Sequence, residues 1–136
     1  MLTTIIGNTF TDERGTLSFN NELDLSEVKR MYFIENADLT MRRAWQGHQI
    51  EKRWFIAVKG KFLIKLVKID NFECPSNNLE VLSFELGSKT LDALLVDAGY
   101  ASSIQALEAD SKLLVFSNYR IGEIEDNYKF NPTQWK

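Results

Sequence analysis

The sequence predicts one all-β domain, a sandwich or a small barrel, from three observations. Short runs of β-branched and aromatic residues recur along the whole chain, with turn residues between them at regular spacing. Helical periodicity is almost absent, so we expect helix in fewer than about 15% of the residues. The 136 residues are 44% hydrophobic and 26% charged, which is ordinary for one globular core spanning residues 1–136.

The first part of the chain alternates predicted strands with turns. Residues 7–15, GNTFTDERG, are rich in turn formers and predict a long turn after the first strand. Residues 23–30, LDLSEVKR, are long enough for one helical turn. The strands predicted here are residues 3–6 (TTII), 16–20 (TLSFN) and 29–36 (KRMYFIEN).

The central segment, residues 53–70, predicts a hairpin with its turn at Lys59 and Gly60. Its first arm is WFIAV, and its second arm, KFLIKLVKI, alternates with the period of a half-buried strand. The alternating positions are Phe62, Ile64 and Leu66 on one face and Lys61, Leu63 and Lys65 on the other.

The last part continues the series after a loop at residues 73–78. We expect the tail, residues 122–136, to wrap over the surface and to hold a short helix. The predicted strands are residues 79–86 (LEVLSFEL), 92–96 (DALLV), 103–108 (SIQALE) and 112–119 (KLLVFSNY), with turns at residues 87–88, 97–99 and 109–111.

Composition narrows the classes of function. The net charge of −3 predicts no basic face for nucleic acid, and no apolar run approaches the roughly 20 residues of a membrane span. The N-terminus lacks the basic and long apolar regions of a signal peptide. The single Cys74 forms no internal disulfide. We therefore expect a cytoplasmic domain, and, with one histidine and one cysteine, no metal and no cofactor.

The only histidine, His48, lies in RRAWQGHQIEKRW, residues 42–54, among two tryptophans, three arginines and two glutamines. Aromatic faces stack on the C–H surfaces of sugars, while guanidinium and amide groups bind hydroxyls and phosphates. Side chains two apart in a strand share a face, so Gln46 and His48 point the same way. The stretch is consistent with a sugar site. A structural histidine and core packing of the tryptophans are the alternatives.

The order of four motifs resembles the nucleotide-sugar cupins. These motifs are the turn Asp12-Glu13-Arg14-Gly15, the strand at residues 29–34, Arg43-Ala44-Trp45-Gln46-Gly47-His48, and Gly60 after a strand. The likeness runs from about residue 8 to 120. It is greatest to the 3,4-ketoisomerases that act on dTDP-4-keto-6-deoxyglucose, the WxcM-like proteins, and weaker to the dTDP-4-dehydrorhamnose 3,5-epimerases. The resemblance implies a cupin-type, jelly-roll β-barrel and a homodimer.

The ketoisomerase motif Arg-Gly-x-His-x-His aligns with this chain only in part. Its arginine falls on Arg43 and its second histidine on His48, while Gln46 replaces the first histidine. Where the ketoisomerases have a glutamine in the next strand, this chain has Arg53. In the epimerases, the catalytic base is a histidine that aligns with Gln46 of this chain. A second epimerase histidine aligns with Ser102.

The resemblance implies an isomerase of a nucleotide-linked keto sugar in deoxysugar or polysaccharide biosynthesis. His48 would remove the acidified C3 proton of a 4-keto sugar, and Arg43 and Gln46 would stabilise the enediolate. Tyr32 would move protons between the two sugar oxygens. The expected catalytic residues are therefore His48, Arg43 and Tyr32.

The partner implied is a nucleotide-diphosphate sugar, with a dTDP-sugar expected. Arg14 is a candidate for the diphosphate, because guanidinium pairs phosphate in a fork, although a salt bridge within its turn is an equal alternative. The full set of expected substrate-binding residues is Gln46, Arg14, Trp45, Arg53, Ser102 and Tyr119.

Two other functions stay open. A 3,5-epimerase would need a proton donor on the opposite sugar face, for which Tyr119 is a candidate. A non-catalytic sugar-binding cupin is the other reading, because Gln46 and Ser102 stand where histidines are found in the enzymes.

Overall fold

The computed structural model describes residues 2–136, and within them twelve β-strands and no helix. The all-β prediction is confirmed, and residues 2–136 contain no helix suited to crossing a membrane. The strands are β1 (Leu2–Ile5), β2 (Asn8–Asp12), β3 (Gly15–Phe19), β4 (Arg30–Ile34), β5 (Arg42–His48), β6 (Arg53–Lys59), β7 (Lys61–Lys68), β8 (Val81–Gly87), β9 (Ala93–Val96), β10 (Tyr100–Ala106), β11 (Lys112–Ser117) and β12 (Tyr128–Lys129).

Two five-stranded antiparallel sheets enclose the main core. One has the order β1-β9-β6-β11-β4 and the other β12-β5-β10-β7-β8, so strands distant in sequence lie side by side as in a jelly roll. One hydrophobic cluster takes Phe55 and Leu113 from the first sheet and Ile64 and Ile104 from the second. The sheets therefore pack face to face around a shared interior.

The turn predicted at Lys59 and Gly60 joins β6 to β7, but the predicted hairpin is wrong, because β6 pairs with β9 and β11 in the first sheet and β7 pairs with β8 and β10 in the second. The predicted alternation along β7 decides which of its residues reach the interior. Phe62, Ile64 and Leu66 are completely buried. The residues between them are only partly buried, because successive side chains of a strand point to opposite faces.

A second hydrophobic cluster lies on the outer face of the sheet that contains β5. The ring of Trp45 is 1% exposed and meets Trp135 of the tail edge-on, with centroids 5.4 Å apart. Phe130 covers Gly47 so closely that a Cβ there would lie 3.0 Å from its ring. The tail thus wraps over the surface as expected, and it requires a glycine immediately before His48.

Three further local predictions were wrong. Residues 8–12, expected in a turn, form β2 and pair with β3 in a separate hairpin. Residues 23–30 form no helix. The Asp24 carboxylate accepts the Ser26 N–H there, a local bond that competes with helical pairing. The tail holds the short strand β12 instead of a helix.

Candidate active site

His48 ends β5 and faces the barrel interior. It lies opposite Tyr100 of β10, a member of the main core, and is 5% exposed. Its Nδ1 lies 2.9 Å from the main-chain oxygen of Asp126. A carbonyl oxygen only accepts, so Nδ1 carries the hydrogen and Nε2 of the neutral ring has a free lone pair. Nε2 is buried and has no hydrogen-bond partner in residues 2–136.

Asp126 fixes the turn that follows His48. Its buried carboxylate accepts the backbone N–H groups of Gln49, Ile50 and Glu51 at 2.7, 2.8 and 2.7 Å. Because the same residue supplies the carbonyl that holds Nδ1, one residue orients both the turn and the imidazole.

Burial, with a smaller effect from the positive charges of Arg53 and Arg30, lowers the pKa of His48 to about 4. The carbonyl and carboxylate of Asp126 act in the opposite direction but are outweighed. Burial dominates because it removes water from the charged imidazolium. The ring is therefore neutral at pH 7, which is the form required of a general base.

Arg53, the first residue of β6, reaches the same interior and is 5% exposed. Its Nη2 donates to Oγ of Ser102 at 3.0 Å, and its Nη1 donates to the hydroxyl of Tyr32 at 3.3 Å. Three residues expected at the site from three different strands are thus joined by hydrogen bonds. The guanidinium carries the positive charge that an enediolate would need nearby.

Sequence reasoning gave no role to Glu51 or Arg30. Glu51 is 7% exposed, with Oε1 3.4 Å from Nη2 of Arg30. Its Oε2 lies 3.8 Å from Nδ1 of His48 and 3.9 Å from Nε of Arg53. The only signal in the sequence was a single carboxylate between β5 and β6 within a cationic stretch.

A cavity of about 80 Å³ lies beside His48. Its lining includes Glu51, Arg30 and residues of the segment that follows β11, which closes this end of the barrel. A larger cavity, about 570 Å³, lies at the opposite end, where β4 ends and β11 begins, and His48 does not line it. Among residues 2–136, no three His, Cys, Asp or Glu side chains are grouped as a metal site requires.

Arg43 does not join the cluster around His48. The pairing of β5 with β10 contains a register shift that places Arg43 opposite Ile104 and Gln46 opposite Ser102. The Arg43 side chain is nevertheless exposed. Gln46 is half-buried, and its Nε2 donates to Oδ1 of Asn127 at 3.2 Å. The interior guanidinium near His48 is therefore that of Arg53.

The other expected ligand-binding residues lie elsewhere. Trp45 is buried on the opposite face of β5, so its ring does not reach a ligand beside His48. Arg14 lies at the tip of the hairpin formed by β2 and β3, 81% exposed and paired with Asp12 at 2.7 Å. This is the turn salt bridge considered above. Tyr119 follows β11, with its main chain bonded to Ser117.

The cupin-type fold that the sequence resemblance predicted is shared with solved structures of other proteins. The 3,4-ketoisomerase QdtA of Thermoanaerobacterium thermosaccharolyticum, solved with TDP-4-keto-6-deoxyglucose, matches with a TM-score of 0.72 at 20% identity, over 95% of this chain and 87% of that one. The WlaRB TDP-quinovose 3,4-ketoisomerase of Campylobacter jejuni matches with a TM-score of 0.67 at 20% identity, over 96% and 92%.

A rmlC epimerase of Mycobacterium tuberculosis matches with a TM-score of 0.74 at 14% identity, over 95% of this chain and 68% of that one. No family model matches the chain, and no curated protein matches its sequence. Identities of 20% and below establish the shared fold, and the activity must be argued from the site.

Proposed function

We propose that this protein is an isomerase that moves the keto group of a nucleotide-linked 4-keto-6-deoxy sugar from C4 to C3. The observation that carries the proposal is the state of His48, whose Nε2 is unprotonated and unpartnered inside the barrel while Nδ1 is held by a carbonyl. A neutral imidazole fixed in one tautomer is suited to remove a proton from carbon.

In the proposed reaction, Nε2 of His48 takes the C3 proton, which the neighbouring C4 ketone acidifies. The negative charge moves to the C4 oxygen, where Arg53 stabilises it with charge-assisted hydrogen bonds. After the hydroxyl proton has moved from O3 to O4, protonation at C4 by the imidazolium leaves the ketone at C3. Arg53 replaces Arg43 in this role because Arg43 is exposed, and Tyr32, bonded to Arg53, lies beside the same charge.

The fold supports the choice of substrate class, because the solved ketoisomerases with this fold include one with TDP-4-keto-6-deoxyglucose bound. We propose a dTDP-sugar as partner. Metal independence, a homodimer, a cytoplasmic location and a place in polysaccharide biosynthesis remain predictions of the same proposal.

One observation favours a non-catalytic sugar-binding cupin as the second candidate. Nε2 of His48 is enclosed, and the adjacent cavity of about 80 Å³ is too small for a nucleotide sugar. The proposed isomerase must therefore open the segment after β11 when substrate enters.

Incubation of dTDP-4-keto-6-deoxyglucose with the protein in D₂O, followed by proton NMR, tests the proposal. An isomerase introduces deuterium at C3 and C4, whereas a 3,5-epimerase introduces it at C3 and C5. Binding without any exchange would identify the non-catalytic cupin and overturn the proposal.

A further inference from the structure

The carboxylate of Glu51 has no role in the reaction proposed above, although it lies in the same buried cluster as His48. We infer that Glu51 is a second proton carrier of this site and moves the hydroxyl proton between the C3 and C4 oxygens of the sugar. The inference rests on the proposed isomerase function.

Two buried polar atoms beside the same cavity support the inference. Oε2 of Glu51 and Nε2 of His48 are both buried without a hydrogen-bond partner in the part of the chain that the structure describes. Both side chains line the cavity of about 80 Å³. An unsatisfied buried polar group is destabilising, so such groups often mark catalytic positions or ordered water. Here both atoms belong to side chains that line one cavity.

Moving a ketone from C4 to C3 requires two proton transfers, and His48 accounts for only one. The imidazole takes the C3 proton and later delivers it to C4. Between these steps the C3 hydroxyl must lose its proton and the C4 oxygen must gain one. The carboxylate accepts the proton from O3 and returns it to O4, so that Glu51 ends unchanged and no external reactant is consumed.

Glu51 is better placed for this transfer than Tyr32. The hydroxyl oxygen of Tyr32 already accepts a hydrogen bond from Arg53, which reduces its capacity to accept a proton. Oε1 of Glu51 is paired with Arg30, while Oε2 remains available. The carboxylate is thus held by Arg30 through one oxygen, while the other has only the longer ion-pair contacts to His48 and Arg53.

Glu51→Gln separates the two proton transfers, because the amide keeps an oxygen for Arg30 but carries no proton between oxygens. The same incubation in D₂O measures exchange at C3 and formation of the 3-keto product in one sample. We expect Glu51→Gln to exchange C3 within threefold of wild type while product formation falls about 10²-fold, the usual contribution of a positioned proton carrier. Tyr32→Phe tests the rival carrier, and Glu125→Gln, at an exposed position between β11 and β12, is the matched control.

Product formation by Glu51→Gln at a rate near that of wild type would overturn the inference. An equal fall in exchange and product, together with a lower melting temperature, would also overturn it and assign Glu51 a structural role. If Glu51→Gln does not fold, Glu51→Asp is measured in its place. The inference then requires that product formation by Glu51→Asp falls at least tenfold more than its C3 exchange. Absence of exchange in wild type would instead refute the proposed function itself.

Discussion

At the scale of the residue, the surroundings of His48 determine the protonation state of its ring. The buried ring lies between a carbonyl that fixes its tautomer and a guanidinium that disfavours its charged form. This combination keeps Nε2 unprotonated at neutral pH. It also weakens the proton affinity of the base, so the reaction depends on the acidity of the C3 proton and on stabilisation of the enediolate by Arg53.

The ionisation of His48 can be measured directly, because the chain contains one histidine and therefore one set of imidazole NMR signals. We expect the folded protein to titrate near pH 4, since burial and Arg53 lower the pKa of His48 to about 4. Arg53→Gln removes the positive charge and should raise that midpoint. A midpoint near 6.5 in wild type would show that the ring is open to solvent.

The same pKa shift predicts how stability depends on pH. The unfolded chain protonates this histidine below about pH 6.5, whereas the folded protein does so only near pH 4. The stability contributed by the neutral ring is therefore fully present above pH 6.5 and is lost as the pH falls towards 4. The loss amounts to about 3 kcal/mol.

Urea unfolding of wild type and His48→Asn at pH 7 and pH 4.5 measures this contribution. Acid weakens both proteins through their carboxylates, so the difference between the two isolates the imidazole. We expect wild type to lose more free energy of unfolding than the variant. Equal losses would contradict a lowered pKa.

At the scale of the element, the turn between β5 and β6 depends on Asp126. Its carboxylate accepts three backbone N–H groups, and bonds to a charged acceptor contribute about 1.5–3 kcal/mol each. Asp126→Ala should lower the free energy of unfolding by about 2–4 kcal/mol, because exposed N–H groups recover part of the loss from water.

Asp38→Ala is the control for this prediction. Asp38 also accepts backbone N–H groups, those of Thr40 and Met41, but at an exposed site. We expect it to lose less than about 1 kcal/mol. Chemical denaturation compares the two variants, and similar losses would mean that the turn after β5 is not held by its buried carboxylate.

The elements that the sequence predicted well are those whose alternation decides burial. β7 was located because Phe62, Ile64 and Leu66 all face the core. The strand at residues 8–12 was missed because Asn8 and Asp12 are turn formers, yet both lie in a hairpin where cross-strand pairing outweighs that preference.

The candidate site was predicted only in part. His48 was identified because it is the only histidine in an unusual stretch. Arg53 was expected there, but as a secondary residue behind Arg43, since a register shift does not reveal how far a long side chain projects. Glu51 and Asp126 were missed because their positions depend on a tail that is distant in sequence and packs beside His48.

At the scale of the whole molecule, the jelly roll brings residues from β4, β5, β6 and β10 to one end of a shared core. The hydrophobic centre holds these strands in place, and the polar cluster forms where that centre ends. The proposed chemistry uses the imidazole, guanidinium and carboxylate groups of this cluster.

Metal independence follows from that chemistry and is testable on the intact protein. Exhaustive chelation should leave turnover of the keto sugar unchanged, because a proton carrier and a cationic donor are sufficient for the proposed steps. Elemental analysis of the purified protein serves as the control. A stoichiometric transition metal, or activity that returns only with added metal, would contradict the prediction.

The central claim is that His48 removes the C3 proton, and the rate of C3 deuterium exchange in wild type and His48→Asn tests it most directly. Measured with melting temperatures on the same preparations, His48→Asn should remain folded and bind dTDP while exchange falls by roughly 10²–10⁴-fold, the usual contribution of a general base. Gln49→Asn, at the exposed neighbouring position, should exchange like wild type. A folded His48→Asn protein that exchanges C3 at the wild-type rate would contradict the account.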